Sequence, residues 1–248
     1  MKRRGLAVSA LALALGAAAA GYAAEGAKWS YEGAKGPRHW SEISPEFAAC
    51  GTGREQSPID LQQTHAGNPE TIGISWQAFR PEVVNNGHTV QADAPAGSYT
   101  TLDGKRYDLL QLHFHHRSEH RLAGRQLPME AHFVHKSAAG DLLVLGVFLV
   151  PGQPNETLET ILDAAPASKG RRSAGDSVDL TALLPEDSAI FRYAGSLTTP
   201  PCSEVVSWAV YERPVEVSAE QIEAFAALYP NNFRPVQPTN RRFVLFGS

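Results

Sequence analysis

The chain has 248 residues, 43% of them hydrophobic, with 22 basic against 26 acidic side chains and a formal charge of −4. That length supplies one large core or two small ones. The mild acidity, with no basic run anywhere, argues against a nucleic-acid partner and mainly favours solubility.

Taken in chain order, the first residues read as a secretory signal. Lys2, Arg3 and Arg4 form a charged start, residues 6–15 an apolar segment, and small residues follow. Cleavage after Ala23 puts Gly21 and Ala23 at the two small positions, although cuts from Ala20 to Ala24 also fit. The expectation is a signal peptide over 1–23 and one domain over 24–248, periplasmic or secreted. Losing the three basic residues makes the mature chain more negative. The apolar part is too short and alanine-rich to span a bilayer, so no membrane span is expected in the mature form.

Ser44-Pro45 suits the start of a short helix. Cys50 and Cys202 are the only cysteines. Export favours a disulfide between them over two buried thiols. It would close a very long loop, nominally stabilising the fold by about 5 kcal/mol before any strain. Cys202 directly follows Thr198-Thr199-Pro200-Pro201, so the bridge would fix that loop. Short β-like runs recur at 71–76, 88–92, 106–115, 129–135 and 205–210. Residues 142–150 form a continuous apolar run before Pro151-Gly152, as in a central strand buried on both faces. Residues 156–165 fit a helix. Ser218-Ala219-Glu220-Gln221 is a capping box ahead of Ile222, Phe225, Ala226 and Leu228. No repeat or linker divides the chain, which reads as one mainly β domain with peripheral helices.

Six of the nine histidines fall between 113 and 135. Strand side chains alternate between faces, so in Gln111-Leu112-His113-Phe114-His115 the two histidines share one face. In Glu130-Ala131-His132-Phe133-Val134-His135, Glu130, His132 and Val134 share a face. For a histidine pair alone, core packing and metal ligation stand level. The third histidine adds weight, because metal-bound imidazoles need an acceptor on the outer ring nitrogen. Gln111 and Glu130 sit two residues from His113 and His132 and suit that task. If the strands pair in register, three imidazoles converge and leave a fourth position open, as in a catalytic zinc site. A polar strand pair at a sheet edge fits poorly with the interleaved Leu109, Leu110, Leu112 and Phe114.

The order of motifs resembles the alpha-class carbonic anhydrases. After the two histidine segments and Ser118-Glu119-His120 comes Ser196-Leu197-Thr198-Thr199-Pro200-Pro201. Upstream stand Gly36-Pro37-x-His39-Trp40, Gln56-Ser57-Pro58-Ile59 and Asn85-Asn86-Gly87-His88; downstream stand Trp208 and Phe233-Arg234-Pro235-x-Gln237-Pro238. The resemblance covers nearly all of 29–241. It implies a large twisted, mostly antiparallel sheet with a few peripheral short helices and the metal at the floor of a cone. It implies zinc on His113, His115 and His132, and reversible hydration of CO2 to bicarbonate by zinc-hydroxide attack. Thr198 would accept a hydrogen bond from the hydroxide and donate its own to Glu119. Thr199 would contact anions. Val134, Val144, Leu197 and Trp208 would form the dry wall beside the carbon. His88 would shuttle protons near its ordinary pKa of ~6.5, with Tyr31 and Asn86 ordering the connecting waters. The resemblance also implies cis bonds at Ser57-Pro58 and Pro200-Pro201. It leaves a homodimer open.

His39, His65, His116, His120 and His135 receive no catalytic role; His120 and His135 read as hydrogen-bonded core residues. His116-Arg117 departs from many relatives and adds bulk and charge beside the second ligand. The strongest rival is a cupin-type metalloprotein, in which His113-x-His115-x3-Glu119 would make Glu119 a ligand for iron or manganese. Tyr107 and Pro128-Met129-Glu130 then stand where that family needs glycine and Pro-x-Gly. A second rival is a binding module that kept the fold; loss of a zinc ligand would mark it, and all three are present.

Overall fold

The structure is a computed structural model that describes residues 28–62, 65–67 and 72–247. The expected signal peptide, 1–23, lies outside the described residues, as does Thr71. Among the described residues, thirteen strands form one sheet. They are β1 His65–Ala66, β2 Ile72–Ser75, β3 Glu82–Asn85, β4 Val90–Asp93, β5 Tyr99–Leu102, β6 Lys105–His116 and β7 Met129–Lys136. The rest are β8 Leu142–Pro151, β9 Gly170–Ser173, β10 Ile190–Gly195, β11 Val206–Tyr211, β12 Val215–Val217 and β13 Leu245–Gly247. The strand order is β9-β3-β4-β6-β7-β8-β11-β10-β13-β1, with β12 beside β8 and β5 joining β2 to β6. Pairing is antiparallel except at β8–β11, β8–β12 and β13–β1. The mostly antiparallel sheet implied by the motifs is therefore what forms.

The apolar run at 142–150 becomes β8, with antiparallel β7 on one side and parallel β11 and β12 on the other. Leu143, Leu145, Val147 and Leu149 join one core cluster, while Leu142, Val144 and Phe148 join a second on the opposite face. Each fully buried aliphatic side chain of this kind is worth roughly 1.5–3 kcal/mol. The first cluster carries two helices, α1 Glu156–Ala164 and α2 Ala219–Leu228, which contribute Leu158, Ile161, Ile222 and Phe225. The capping box of α2 forms as read from the sequence: Ser218 accepts from Gln221 N, and Gln221 returns an acceptor to Ser218 N. Ser44-Pro45 starts only a single 3-10 turn, Pro45–Phe47. The second cluster faces the histidines.

The Cys50–Cys202 disulfide is formed, and Ser57-Pro58 and Pro200-Pro201 are both cis. His116-Arg117 is also cis.

Candidate metal centre

The register between β6 and β7 sets His132 opposite His113, Glu130 opposite His115, and Val134 opposite Gln111. β4 adds Gln91 beside His113. β8 adds Gly146 beside His132 and Val144 beside Val134, and β11 adds Trp208 beside Val144. Directly paired residues share a face, so ligands, ligand supports and wall residues form adjacent rows on one face. Beyond Val134 the register shifts, and His135 pairs with Leu109 on the other face. There it is fully buried, bonded to Thr100 Oγ1 at 2.9 Å and to Phe133 O at 2.9 Å.

The ligand nitrogens of His113, His115 and His132 lie within 4.8 Å of one another. Each outer nitrogen meets a pure acceptor. His113 Nδ1 donates to Gln111 Oε1 at 2.8 Å, His115 Nδ1 to Asn232 O at 2.6 Å, and His132 Nε2 to Glu130 Oε1 at 2.8 Å. Those bonds fix the tautomers and leave Nε2, Nε2 and Nδ1 as inward lone pairs. Burial, then the neighbouring imidazoles, pushes His113 well below the usual histidine range. Burial likewise lowers His115. Both rings are therefore neutral at pH 7, as ligands must be. His115 Nε2 is buried and has no hydrogen-bond partner. A buried nitrogen lone pair left unmatched among two others fits a metal ion.

Glu130 ties this centre together. Its Oε1 accepts from His132 and from His120 Nδ1 at 2.7 Å; its Oε2 accepts from the N–H groups of Glu119 at 2.9 Å and His120 at 2.8 Å. Burial alone would raise this carboxyl, but the His120 and His132 rings and their hydrogen bonds outweigh it and hold it well below the carboxylate range. Gly146 allows the arrangement, because a Cβ there would stand 3.1 Å from Glu130 Oε1. His120 Nε2 lies 2.6 Å from Tyr193 OH, so the residue is a bonded core histidine, as expected.

Glu119 Oε1 accepts from Arg234 N at 2.7 Å. Its Oε2 stands 3.5 Å from His115 Nε2 and takes no hydrogen bond. The expected bond from Thr198 to Glu119 is thus not closed. Leu197, Thr198 and Thr199 lie on the loop after β10, where Ser196 and Ser57 bond each other through Ser57 N–Ser196 Oγ and Ser196 N–Ser57 Oγ. Cys202 N donates to Thr199 O at 2.9 Å. Val134 and Leu197 pack against the cluster that contains the buried Val144 and Trp208, and the Trp208 ring lies 4.9 Å from that of His132.

His88 departs from the sequence reading. Its ring stacks on Trp29 at 3.8 Å, and burial, then nearby Lys169, lowers its pKa to about 4. The half-buried ring therefore does not keep the value near 6.5 expected of it. Tyr31 lies 6.4 Å from it, ring to ring. Asn86 Oδ1 caps the turn, accepting from His88 N at 2.9 Å and Thr89 N at 3.0 Å. His116 bonds Pro230 O through Nδ1 at 2.5 Å, and Arg117 is exposed. The residue the sequence reading missed is Asn232. Besides holding His115, its amide donates to Phe114 O and His88 O and accepts from His116 N.

Fold and centre together define a β-sheet protein with three histidines on one face, able to hold a metal ion. The chain belongs to the eukaryotic-type carbonic anhydrase family, whose model matches residues 35–247. A carbonic anhydrase of Nostoc sp. is 45% identical over 222 residues, covering 87% of this chain and 84% of that one. The α-carbonic anhydrase of Thermovibrio ammonificans, solved with the inhibitor sulfanilamide, is 43% identical with a TM-score of 0.86, covering 89% of this chain and 99% of that one. Dioscorin DB3S of Dioscorea polystachya is 34% identical over 224 residues, covering 85% of this chain and 83% of that one. The family match removes the cupin reading.

Proposed function

We propose that this chain hydrates CO2 reversibly to bicarbonate and a proton, with a zinc ion held by His113, His115 and His132. The observation that carries this reading is the set of three inward imidazole lone pairs, each fixed by an acceptor on the outer nitrogen. Three neutral nitrogen donors without thiolate suit zinc, and three protein ligands leave a fourth position for chemistry. When bound, zinc lowers the pKa of a coordinated water to about 7, a figure that comes from carbonic anhydrase itself, and so supplies a nucleophile at neutral pH.

The residues around the centre then have distinct tasks. Thr198 would accept a hydrogen bond from that nucleophile and direct its own hydrogen to Glu119 Oε2, a buried acceptor without a partner in the structure. Val134, Val144, Leu197 and Trp208 present an apolar wall to CO2, which makes only weak hydrogen bonds. Thr199 contacts the anionic product. His88 passes the released proton outward, with Tyr31 and Asn86 ordering the path. At a pKa of about 4 the ring sits roughly three units below the acid it must relieve, so soluble buffer competes well with it. The formed disulfide supports an oxidising location, periplasmic or secreted. No helix among the described residues is long and apolar enough to cross a membrane.

The test is zinc stoichiometry and CO2 hydration rate on one purified sample. One zinc per chain with hydration far above the buffer rate supports the reading. Zinc without hydration would favour a binding module, and iron or manganese in its place would refute the metal assignment. Glu119→Gln should retain zinc and lose most activity; loss of zinc would make Glu119 a ligand.

A further inference from the structure

Arg234 is one of the largest fully buried side chains, 1% exposed. A buried guanidinium is ordinarily paired with a carboxylate. Among the described residues, this one gives its hydrogen bonds to neutral acceptors instead. Nη1 donates to Gln56 Oε1 and Ser57 O, both at 2.8 Å, and Nη2 to Cys50 O at 2.9 Å. Nε has no partner, and the guanidinium lies 5.7 Å from the centre of the Trp40 ring. Gln56 extends the reach, because its Nε2 donates to Cys202 O at 3.0 Å and Glu204 Oε1 at 2.9 Å. One side chain therefore grips one half of the disulfide directly and the other through Gln56. The same residue's backbone N–H is the donor to Glu119 Oε1.

We infer that Arg234 is a positioning residue that registers the Glu119 carboxylate against the Thr198-Thr199 loop. This rests on the roles proposed above for Glu119 and Thr198. The two groups come from separate segments: Glu119 follows β6, and Thr198 follows β10. Each is held on its own side, Glu119 by Glu130 and the threonine loop by Ser57 and Cys202. Arg234 joins the two sides, with its backbone on Glu119 and its fork on the segments that anchor Cys50 and Cys202. A planar fork with several fixed donors suits this task, whereas a point charge on a flexible stem does not.

Arg234→Lys keeps the cation but cannot reach Cys50, Gln56 and Ser57 together. With zinc loaded to the parent's stoichiometry, kcat/KM for CO2 hydration should fall about tenfold, since displacements near 1 Å at a reacting centre cost up to ~100-fold. The response of kcat to added buffer should stay that of the parent, because the proton path is untouched. Amide hydrogen exchange over 196–202 should rise about tenfold in both the metal-free and zinc-loaded forms. The double variant Glu119→Gln/Arg234→Lys should be no slower than Glu119→Gln alone. A zinc-loaded Arg234→Lys within twofold of the parent, unchanged exchange, or additive losses in the double variant each overturn the inference. If Arg234→Lys does not fold, Gln56→Leu cuts the relay to Cys202 and keeps the bonds from Arg234 to Cys50 and Ser57. It should show the same non-additivity with Glu119→Gln, and additivity there overturns the inference. Full activity in Glu119→Gln would instead refute the role of Glu119 itself.

Discussion

Replacing Glu130 by Gln changes one oxygen into an NH2 group, and the structure shows what each orientation does. Facing Glu119 N and His120 N, the amide would set donor against donor, and neither backbone N–H can reverse. Facing the rings, it meets His120 Nδ1 and His132 Nε2. His132 must then turn Nε2 into an acceptor, which moves its hydrogen to Nδ1, the nitrogen aimed at the ligand cluster. Two carboxylate hydrogen bonds are lost either way. At about 1.5–3 kcal/mol for each bond to a charged group, the metal-free protein should lose about 3–6 kcal/mol. Loss of an outer partner typically weakens metal binding 10–100-fold, about 1.4–2.8 kcal/mol. Metal-free stability is read from urea unfolding, and zinc affinity from competition with a chelator. A Glu130→Gln protein within about 1 kcal/mol of the parent, binding zinc within threefold, would refute the tautomer reasoning.

Four further outcomes follow from the same geometry. His113→Ala removes one of three ligands and should abolish zinc retention and hydration together; metal analysis after dialysis checks it. His135 is pushed to about 4 by burial, with its bonds to the Phe133 and Leu143 backbone opposing. Its ring refuses a proton that the unfolded chain accepts, so its stabilisation is full above pH ~6.5 and falls by about 3 kcal/mol as pH drops to 4. Unfolding of the metal-free protein at pH 7 and 4.5, parent against His135→Gln, should show most of that loss as the difference between their slopes. His88→Ala should slow steady-state hydration in weak buffer, with imidazole restoring it; a parent ring titrating near 6.5 by NMR would contradict the stacked, half-buried placement. Cys50→Ala with Cys202→Ala should lower stability by about 2–5 kcal/mol, and equal midpoints in reducing and oxidising denaturant would exclude a stabilising bridge.

The strands that position the centre were legible because their side chains alternate by chemistry as well as by face. β6 and β7 interleave histidines and their supports with Leu112, Phe114, Ala131 and Phe133, all fully buried in the opposite core. β8 was legible by length and by Pro151-Gly152, and α2 by its capping box. Residues 99–102 carried no such signal. Tyr-Thr-Thr-Leu reads as polar, yet Thr100 is fully buried because His135 Nε2 and Trp76 Nε1 share its hydroxyl. Those partners lie 35 and 24 residues away, beyond any local pattern. α1 is capped by Asn155, which accepts from Leu158 N, a cap the composition of 156–165 does not reveal.

At the centre the same division holds, and it explains which supports escaped notice. Gln111 and Glu130 were legible because a support two residues from its histidine lies on the same strand face. The support of His115 is a backbone carbonyl 117 residues downstream. A carbonyl has no side-chain signature, so only the fold shows that Asn232 carries it. His88 differs in the opposite sense. Its motif was visible, but its basicity is set by Trp29, outside the motif, and by Lys169, whose Cε would lie 2.0 Å from a Cβ on Gly87. A ligand set is written in the local alternation of a strand, whereas the pKa of a neighbouring ring belongs to whatever the fold lays against it. Residue type can therefore nominate a proton carrier, but only the packing of Trp29 and Lys169 decides how readily it takes the proton.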